Sequence, residues 1–293
     1  MLASRRPYSI PLPGREPLRL GVRTLVMAIL NVTPDSFADG GRHLDPDAAV
    51  DTGLRMEAEG ADIIDVGGES TRPGAEPVGA DEERRRVLPV IERLASQVRI
   101  PISIDTYKAS VAKDALAAGA SIVNDISGLL YEPELGHVAA EGGAAIVLMH
   151  TRGRSKGMYD LARYGDVAAD VAGELADAIA RAQRAGVPRG SIVLDPGLGF
   201  AKRAEHSFEL LAHLERIATL DRPMLVGASR KSFLKAAIGD REPAARDWGT
   251  AAAVSASVLL GAHIVRVHEV KEMVDVVRVA DRIRAATSAN VSE

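Results

Sequence analysis

With 293 residues, 46% of them hydrophobic and 26% charged, the chain has material for one large α/β barrel or two ordinary domains. A net charge of −4 and 3% aromatic residues leave no general basic surface and few rings for stacking bases, which argues against nucleic acid as a partner. The absence of cysteine excludes disulfides, thiol catalysis and cysteine-ligated metal.

The opening stretch, MLASRRPYSIPLPG, carries two arginines but no apolar core, so no secretory signal is expected. Residues 8–20 read as a small hairpin about Pro13 and Gly14. A unit of strand then helix follows eight times. The strands are expected at 24–30, 62–66, 102–104, 122–123, 145–149, 192–194, 224–226 and 264–267. Between them, Asp45 and Pro46 start a helix as N-cap and first-turn proline. Val87, Ile91, Leu94 and Val98 make one helical stripe, and Val167, Val171, Leu175 and Ile179 make another. Gly60, Gly119, Gly186 and Gly261 stand where helices should end before the next strand. The run 250–265 is too short to span a bilayer and reads as a helix feeding a buried strand, so a cytoplasmic protein with no membrane partner is expected.

Eight such units predict a single-domain (β/α)8 TIM barrel behind a short N-terminal hairpin, with the barrel over about 24–284. A doubly wound open sheet fits less well, because no G-x-G-x-x-G follows the first strand. Barrel active sites lie at the C-terminal ends of the strands. Those ends carry Asn31, then Gly67, Gly68 and Glu69, then Asp105, Asn124 and Asp125, Met149 and His150, Asp195, Ser229, and finally Arg266 and His268. The clearest is SIVLDPGLGF (191–200), where an apolar strand runs into Asp195 and a glycine-rich turn. That aspartate either caps the next helix or faces a ligand. The recurrence of polar side chains at strand ends favours a polar, flat ligand.

Two connections are unusually long, 32–44 and 67–80, and their Phe37 and Arg72 sit among glycines and prolines as in lids. Arg230 and Lys231 stand at the start of a helix, where cations are unfavourable without an acceptor. They form either a solvated pair or, for Lys231, part of the site. Arg266 and His268 alternate with Val265 and Val267 and so point inward together. Their charge calls for an anion, either a neighbouring acid or a phosphate held in a fork contact.

Taken together, LNVTPDSFADGG (30–41), IDVGGESTRPGA (64–75), ISIDTYK (102–108), NDISG (124–128), DPGLGF (195–200), GASRKSF (227–233) and RVHEV (266–270) resemble dihydropteroate synthase. Seven motifs in order make the resemblance specific. It implies a TIM barrel, commonly a homodimer and a sulfonamide target. The transferase activity implied joins 6-hydroxymethyl-7,8-dihydropterin pyrophosphate to p-aminobenzoate in folate synthesis. Carried over by motif, Asp105, Asn124, Met149, Asp195, Phe200, Gly227 and Lys231 would line the pterin pocket. Asn31, Arg266 and His268 would hold pyrophosphate, with Asn31 also a Mg²⁺ ligand. Phe37, Thr71, Arg72, Pro73 and Ser232 would contact p-aminobenzoate, and Asp39 and Arg72 could pair across the loops. A pterin-dependent methyltransferase domain would share the acids but has no need of SRKSF or RVH. An aldolase using Lys231 as a Schiff base would need a desolvated amine with a lowered pKa. A pterin-binding paralogue without turnover is the remaining alternative.

Overall fold

The computed structural model describes residues 5–33, 45–70 and 74–289. Two short strands, β1 (Tyr8–Leu12) and β2 (Arg15–Leu20), pair antiparallel as the expected hairpin. Strands and helices then alternate: β3 (Leu25–Asn31), α1 (Pro46–Ala58), β4 (Ile63–Gly67), α2 (Ala80–Ala95), β5 (Ile102–Asp105), α3 (Ala109–Ala117), β6 (Ile122–Asp125) and α4 (Glu134–Glu141). The second half continues with β7 (Ala145–Met149), α5 (Val167–Arg184), β8 (Ile192–Asp195), α6 (Ala204–Ala212), β9 (Leu225–Val226), α7 (Asp247–Leu259), β10 (Ile264–Val267) and α8 (Val270–Ala289).

The eight strands after the hairpin are parallel, in the order β8-β7-β6-β5-β4-β3-β10-β9. A single bridge from Leu194 to Met224 brings β9 back beside β8, with the Leu194 amide donating to Pro223 O at 2.9 Å. The sheet therefore closes into a barrel, and the open doubly wound alternative falls. Several strands reach further than the apolar runs suggest. Asp105, Asp125 and Asp195 are the last residues of their strands and Asn124 the last but one of its own, because their backbones still pair with the neighbours.

Local chemistry sets the helix ends. Asp45 accepts from the Asp47 and Ala48 amides, capping α1 ahead of Pro46. The stripes on α2 and α5 face the sheet, but Val98 lies past the end of α2 and is buried there as part of the exit loop. One apolar layer fills the space between sheet and helices. A second fills the barrel's lower half, where Ile10, Leu12 and Leu20 of the hairpin meet Met27, Ile63, Ile122, Val193 and Ile264. Ile10 and Leu20 are each 1% exposed, a burial worth about 1.5–3 kcal/mol per side chain. The hairpin thus stoppers the floor and leaves the C-terminal ends of the strands as the mouth. Among the described residues no helix is long and apolar enough to cross a membrane.

Candidate active site

A cavity of about 520 Å³ opens at that mouth, of a size suited to a small organic ligand. Asn31, Asp105, Asn124, Met149, Asp195, Phe200, Gly227, Lys231, Ser232, Arg266 and His268 all line it, brought together from seven strand ends and the loops that follow. Phe37, Asp39, Thr71, Arg72 and Pro73, and with them the expected lid contacts, lie outside the described residues.

Arg266 is the electrostatic centre. Its Nε donates to Asp65 at 2.6 Å and its Nη2 to Asp105 at 2.7 Å. Two donors of the inward arginine are thus taken by neighbouring acids, which meets the need for an anionic partner without excluding a further anion. Both carboxylates are carried on adjacent strands, so the fork spans β4 and β5. Burial opposes the charge of Arg266, but Asp65 and Asp105 outweigh it and raise its pKa. Burial pushes Asp105 up to about 7, with Arg266 opposing and Asp65 adding to the rise.

Asp65 was not anticipated as part of the site. It is fully buried inside β4, where its Oδ2 also accepts from Asn124 Nδ2 at 2.9 Å, and its Oδ1 has no hydrogen-bond partner among the described residues. The available signal was a carboxylate inside the apolar strand IIDVG, an expensive residue to bury without a partner.

Asp195 does not cap a helix. Its Oδ1 accepts the Gly197 amide at 2.7 Å, turning the chain immediately after β8, while the carboxylate faces the cavity. Burial raises its pKa, opposed by Lys231 and by the Gly197 bond. Lys231 reaches in from the opposite side of the seam and donates to Leu198 O at 2.6 Å, its Nζ 4.6 Å from the centre of the Phe200 ring. Burial pulls Lys231 down to about 8, with Asp195 opposing. Its neighbour Arg230 is not a solvated twin: it pairs with Asp247 at 2.8 Å and with Glu269. Gly227 lies between these groups. A Cβ there would stand 3.8 Å from Lys231 Nζ, 3.8 Å from Arg266 Cβ and 4.0 Å from Asp195 Oδ2, so the bare glycine leaves room for a flat ring.

Ser229 organises His268. The His268 amide donates to Ser229 Oγ at 3.2 Å, and that oxygen lies 2.9 Å from His268 Nδ1. The serine thus holds the imidazole in place through both its backbone and its ring. Glu69 lines the cavity as well, accepting from Lys108 Nζ at 2.6 Å, the Val78 amide at 3.0 Å and Tyr107 at 3.0 Å. Two of the strand-end polar side chains do not reach the cavity. Asp125 turns back to the amides of Ser127 and Leu129, and His150 turns outward to Glu174 and Lys202. Each answers a local donor that the strand pattern does not reveal.

Fold and site together define a TIM-barrel enzyme with a polar pocket at the C-terminal ends of its strands. The family model described as "Pterin binding enzyme" matches residues 27–268. The dihydropteroate synthase of Synechocystis sp. is 46% identical over 274 residues, covering 93% of this chain and 95% of the relative. That of Bacillus subtilis is 46% identical over 259 residues, covering 88% of each. The Xanthomonas albilineans dihydropteroate synthase solved with 4-aminobenzoic acid superposes with a TM-score of 0.87 at 42% identity, over 96% of this chain and 99% of that one. The same enzyme solved with 7,8-dihydropteroate gives 0.84 at 40%, over 94% and 99%. The chain belongs to the pterin-binding enzyme family and, within it, to the dihydropteroate synthases.

Proposed function

We propose that the chain condenses 6-hydroxymethyl-7,8-dihydropterin pyrophosphate with p-aminobenzoate, giving 7,8-dihydropteroate and pyrophosphate. The observation that carries this reading is the convergence of Asp105, Asn124, Asp195 and Lys231 on a cavity whose rim holds Asn31, Arg266 and His268. Asp195 accepts the two adjacent N–H donors of a pterin's amino edge, Asn124 serves ring atoms that need a neutral partner, and Lys231 donates to ring acceptors. Met149 and Phe200 supply apolar walls and Ser232 a polar contact at the mouth for the arylamine.

In the reaction the C–O bond of the pterin methylene breaks and its electron pair leaves with pyrophosphate. The arylamine lone pair then forms the C–N bond, and the amine proton passes to solvent. Arg266 and His268 stabilise the charge that develops on the leaving group, which is the main barrier to its departure. No strong base is required, because the arylamine attacks as a neutral amine and loses its proton only after the C–N bond has formed. Lys231, although lowered to about 8, remains mostly protonated at neutral pH and acts as a donor, not as a Schiff-base amine.

Mg²⁺ belongs to the proposal. Among the described residues no cluster of three histidine or acid ligands exists, and Asn31 offers one hard amide oxygen at the cavity wall. That donor set suits an ion that keeps its waters and takes most of its remaining ligands from phosphate. When bound there it supplies neutralising charge to the pyrophosphate. A homodimer in the cytoplasm completes the reading. Support for the dimer comes from Trp248 on α7 and Val279 and Ile283 on α8, two packed helices that expose these apolar side chains.

The test is direct. Purified protein mixed with the dihydropterin pyrophosphate, p-aminobenzoate and Mg²⁺ should release pyrophosphate only when both substrates are present. Pyrophosphate release without the arylamine, or none with it, contradicts the proposal.

A further inference from the structure

The most deeply buried basic side chain among the described residues is one that the reaction does not use. Lys202 is 1% exposed and follows directly on the loop that carries the wall of the cavity. Its Nζ lies 3.0 Å from Gly197 O, 2.9 Å from Phe200 O and 2.7 Å from His150 Nδ1. Burial, with Lys231 adding to it, pushes the Lys202 pKa well below the ordinary lysine value, so these contacts rather than its charge define its role. Glu174, an ionised carboxylate with its pKa lowered to about 2, lies 3.0 Å from His150 Nε2, so Nε2 carries the ring proton and Nδ1 accepts from Lys202. Glu174 is gripped in turn by Arg152. The chain Arg152–Glu174–His150–Lys202 is a continuous run of charge-assisted bonds ending on two backbone carbonyls.

Those carbonyls belong to a backbone that needs holding. Gly197 and Gly199 have φ of +68° and +80°, and Ala201, which has a side chain, has φ of +48°. Gly197 cannot be replaced without collision, since a Cβ there would strike His150 O. With the carbonyls of Gly197 and Phe200 drawn inward to Lys202, Leu198 O faces the cavity side and receives Lys231 Nζ, while Gly199 O accepts from the Tyr159 hydroxyl. The same loop sets the Phe200 ring beneath that ammonium.

We propose that Lys202, backed by His150 and Glu174, is a positioning residue that locks the 197–200 loop and so places Lys231 and Phe200 for the pterin. The proposal rests on the reading of the cavity as a pterin site. The charged groups facing Lys231 are Asp195, Asp105, Arg266 and, through the loop, Lys202 itself. Burial is the main cause of the lowered Lys231 pKa, so loosening the loop admits water to Lys231 and its pKa should move up from about 8.

The experiment compares the full-length protein with Lys202→Met and His150→Ala. Folding is checked by thermal melting, affinity for the dihydropterin pyrophosphate by calorimetry, and the KM of p-aminobenzoate by pyrophosphate release. The pH profile of Lys231 acylation by acetic anhydride is read by mass spectrometry. Lys202→Met should weaken pterin affinity by about tenfold to a hundredfold, the loss expected of a bond to a charged group. The p-aminobenzoate KM should stay within about twofold by the same arithmetic, and the Lys231 profile should shift to higher pH. His150→Ala removes one of the three acceptors and should give the same pattern in smaller measure, which keeps the test decisive if Lys202→Met does not fold. A lower melting temperature with unchanged pterin affinity and an unshifted Lys231 profile overturns the proposal. If the wild-type protein does not bind the pterin, the reading of the cavity fails instead, and the Lys231 profile alone decides whether Lys202 positions it.

Discussion

Asn124 on β6 donates its side-chain amide to the Asp65 carboxylate on β4 at 2.9 Å, reaching across β5 inside the barrel. A carboxylate oxygen accepts, so this bond orients the amide and leaves Asn124 Oδ1 for the cavity. Asn124→Asp sets two buried acids against each other. It should destabilise the protein by about 3–5 kcal/mol, the cost of an uncompensated buried charge, as measured by denaturant unfolding. An unfolding midpoint equal to wild type would show that Asp65 does not depend on this partner.

At Asp195 the carboxylate faces a site with donors on the ligand side and Lys231 beyond. Asp195→Asn keeps the shape but exchanges an acceptor for a competing donor. Pterin affinity should fall by about 1.5–3 kcal/mol in calorimetry, the range for a bond to a charged group. Unchanged affinity would remove this residue from the pterin edge.

The glycines at 197 and 227 should respond in opposite ways to the same methyl group. Gly227→Ala meets only ordinary contacts, so the protein should melt near the wild-type temperature while losing pterin binding. Gly197→Ala combines a positive φ with a collision at His150 O and should lower the melting temperature by several degrees, in line with a strained backbone costing about 1–3 kcal/mol. If both variants behave alike, the space at Gly227 is not reserved for a ligand.

In the proposed pterin contact Lys231 would donate only while protonated, and burial lowers its pKa to about 8. Affinity for the pterin substrate is therefore greatest below that value and declines as pH rises through it. The kcat/KM for the pterin substrate should lose about tenfold per pH unit on the alkaline side. Lys231→Arg, whose guanidinium does not titrate there, should abolish the alkaline limb. A wild-type profile flat to pH 10 would contradict the assignment.

His150 and His263 are both held neutral by burial, with pKa values lowered to about 4. Each accepts at Nδ1, from Lys202 and from the Met224 amide respectively, and donates from Nε2 to Glu174 and Arg6 O. In the unfolded chain they protonate near 6.5, so the stability they contribute is intact above that pH. It is lost as pH falls to about 4, on the order of 3 kcal/mol each. Asp105, raised to about 7, acts in the opposite sense over much of the same window, so the imidazoles are best followed one by one. Their NMR titrations should show neutral rings down to pH 5; midpoints near 6.5 would refute the buried arrangement.

The barrel was legible because its signals are local and repeated: apolar runs without alternation, capping aspartate at Asp45, and glycines such as Gly60 just past helix ends. Strand ends then pointed to Asp105, Asn124, Asp195 and Arg266 without any knowledge of pairing. What stayed hidden was the partner of each group. Arg266 turned out to be held by Asp65, some two hundred positions away, and no one-dimensional pattern distinguishes that acid from a phosphate. His150 looked like a pocket residue for the same reason: its partner Lys202 enters from a loop whose direction depends on left-handed backbone at three positions.

The ring of strands has one weak joint, where β8 and β9 meet through a lone bridge between Leu194 and Met224. Asp195 stands on one lip of that joint and Lys231 just beyond the other. A pterin held by both residues, as proposed, would act as the missing rung, a keystone set into the arch from above. Binding should then be felt well below the mouth. Amide exchange at Leu194, slowed by only one cross-strand bond in the empty barrel, should become slower still once the ring is in place.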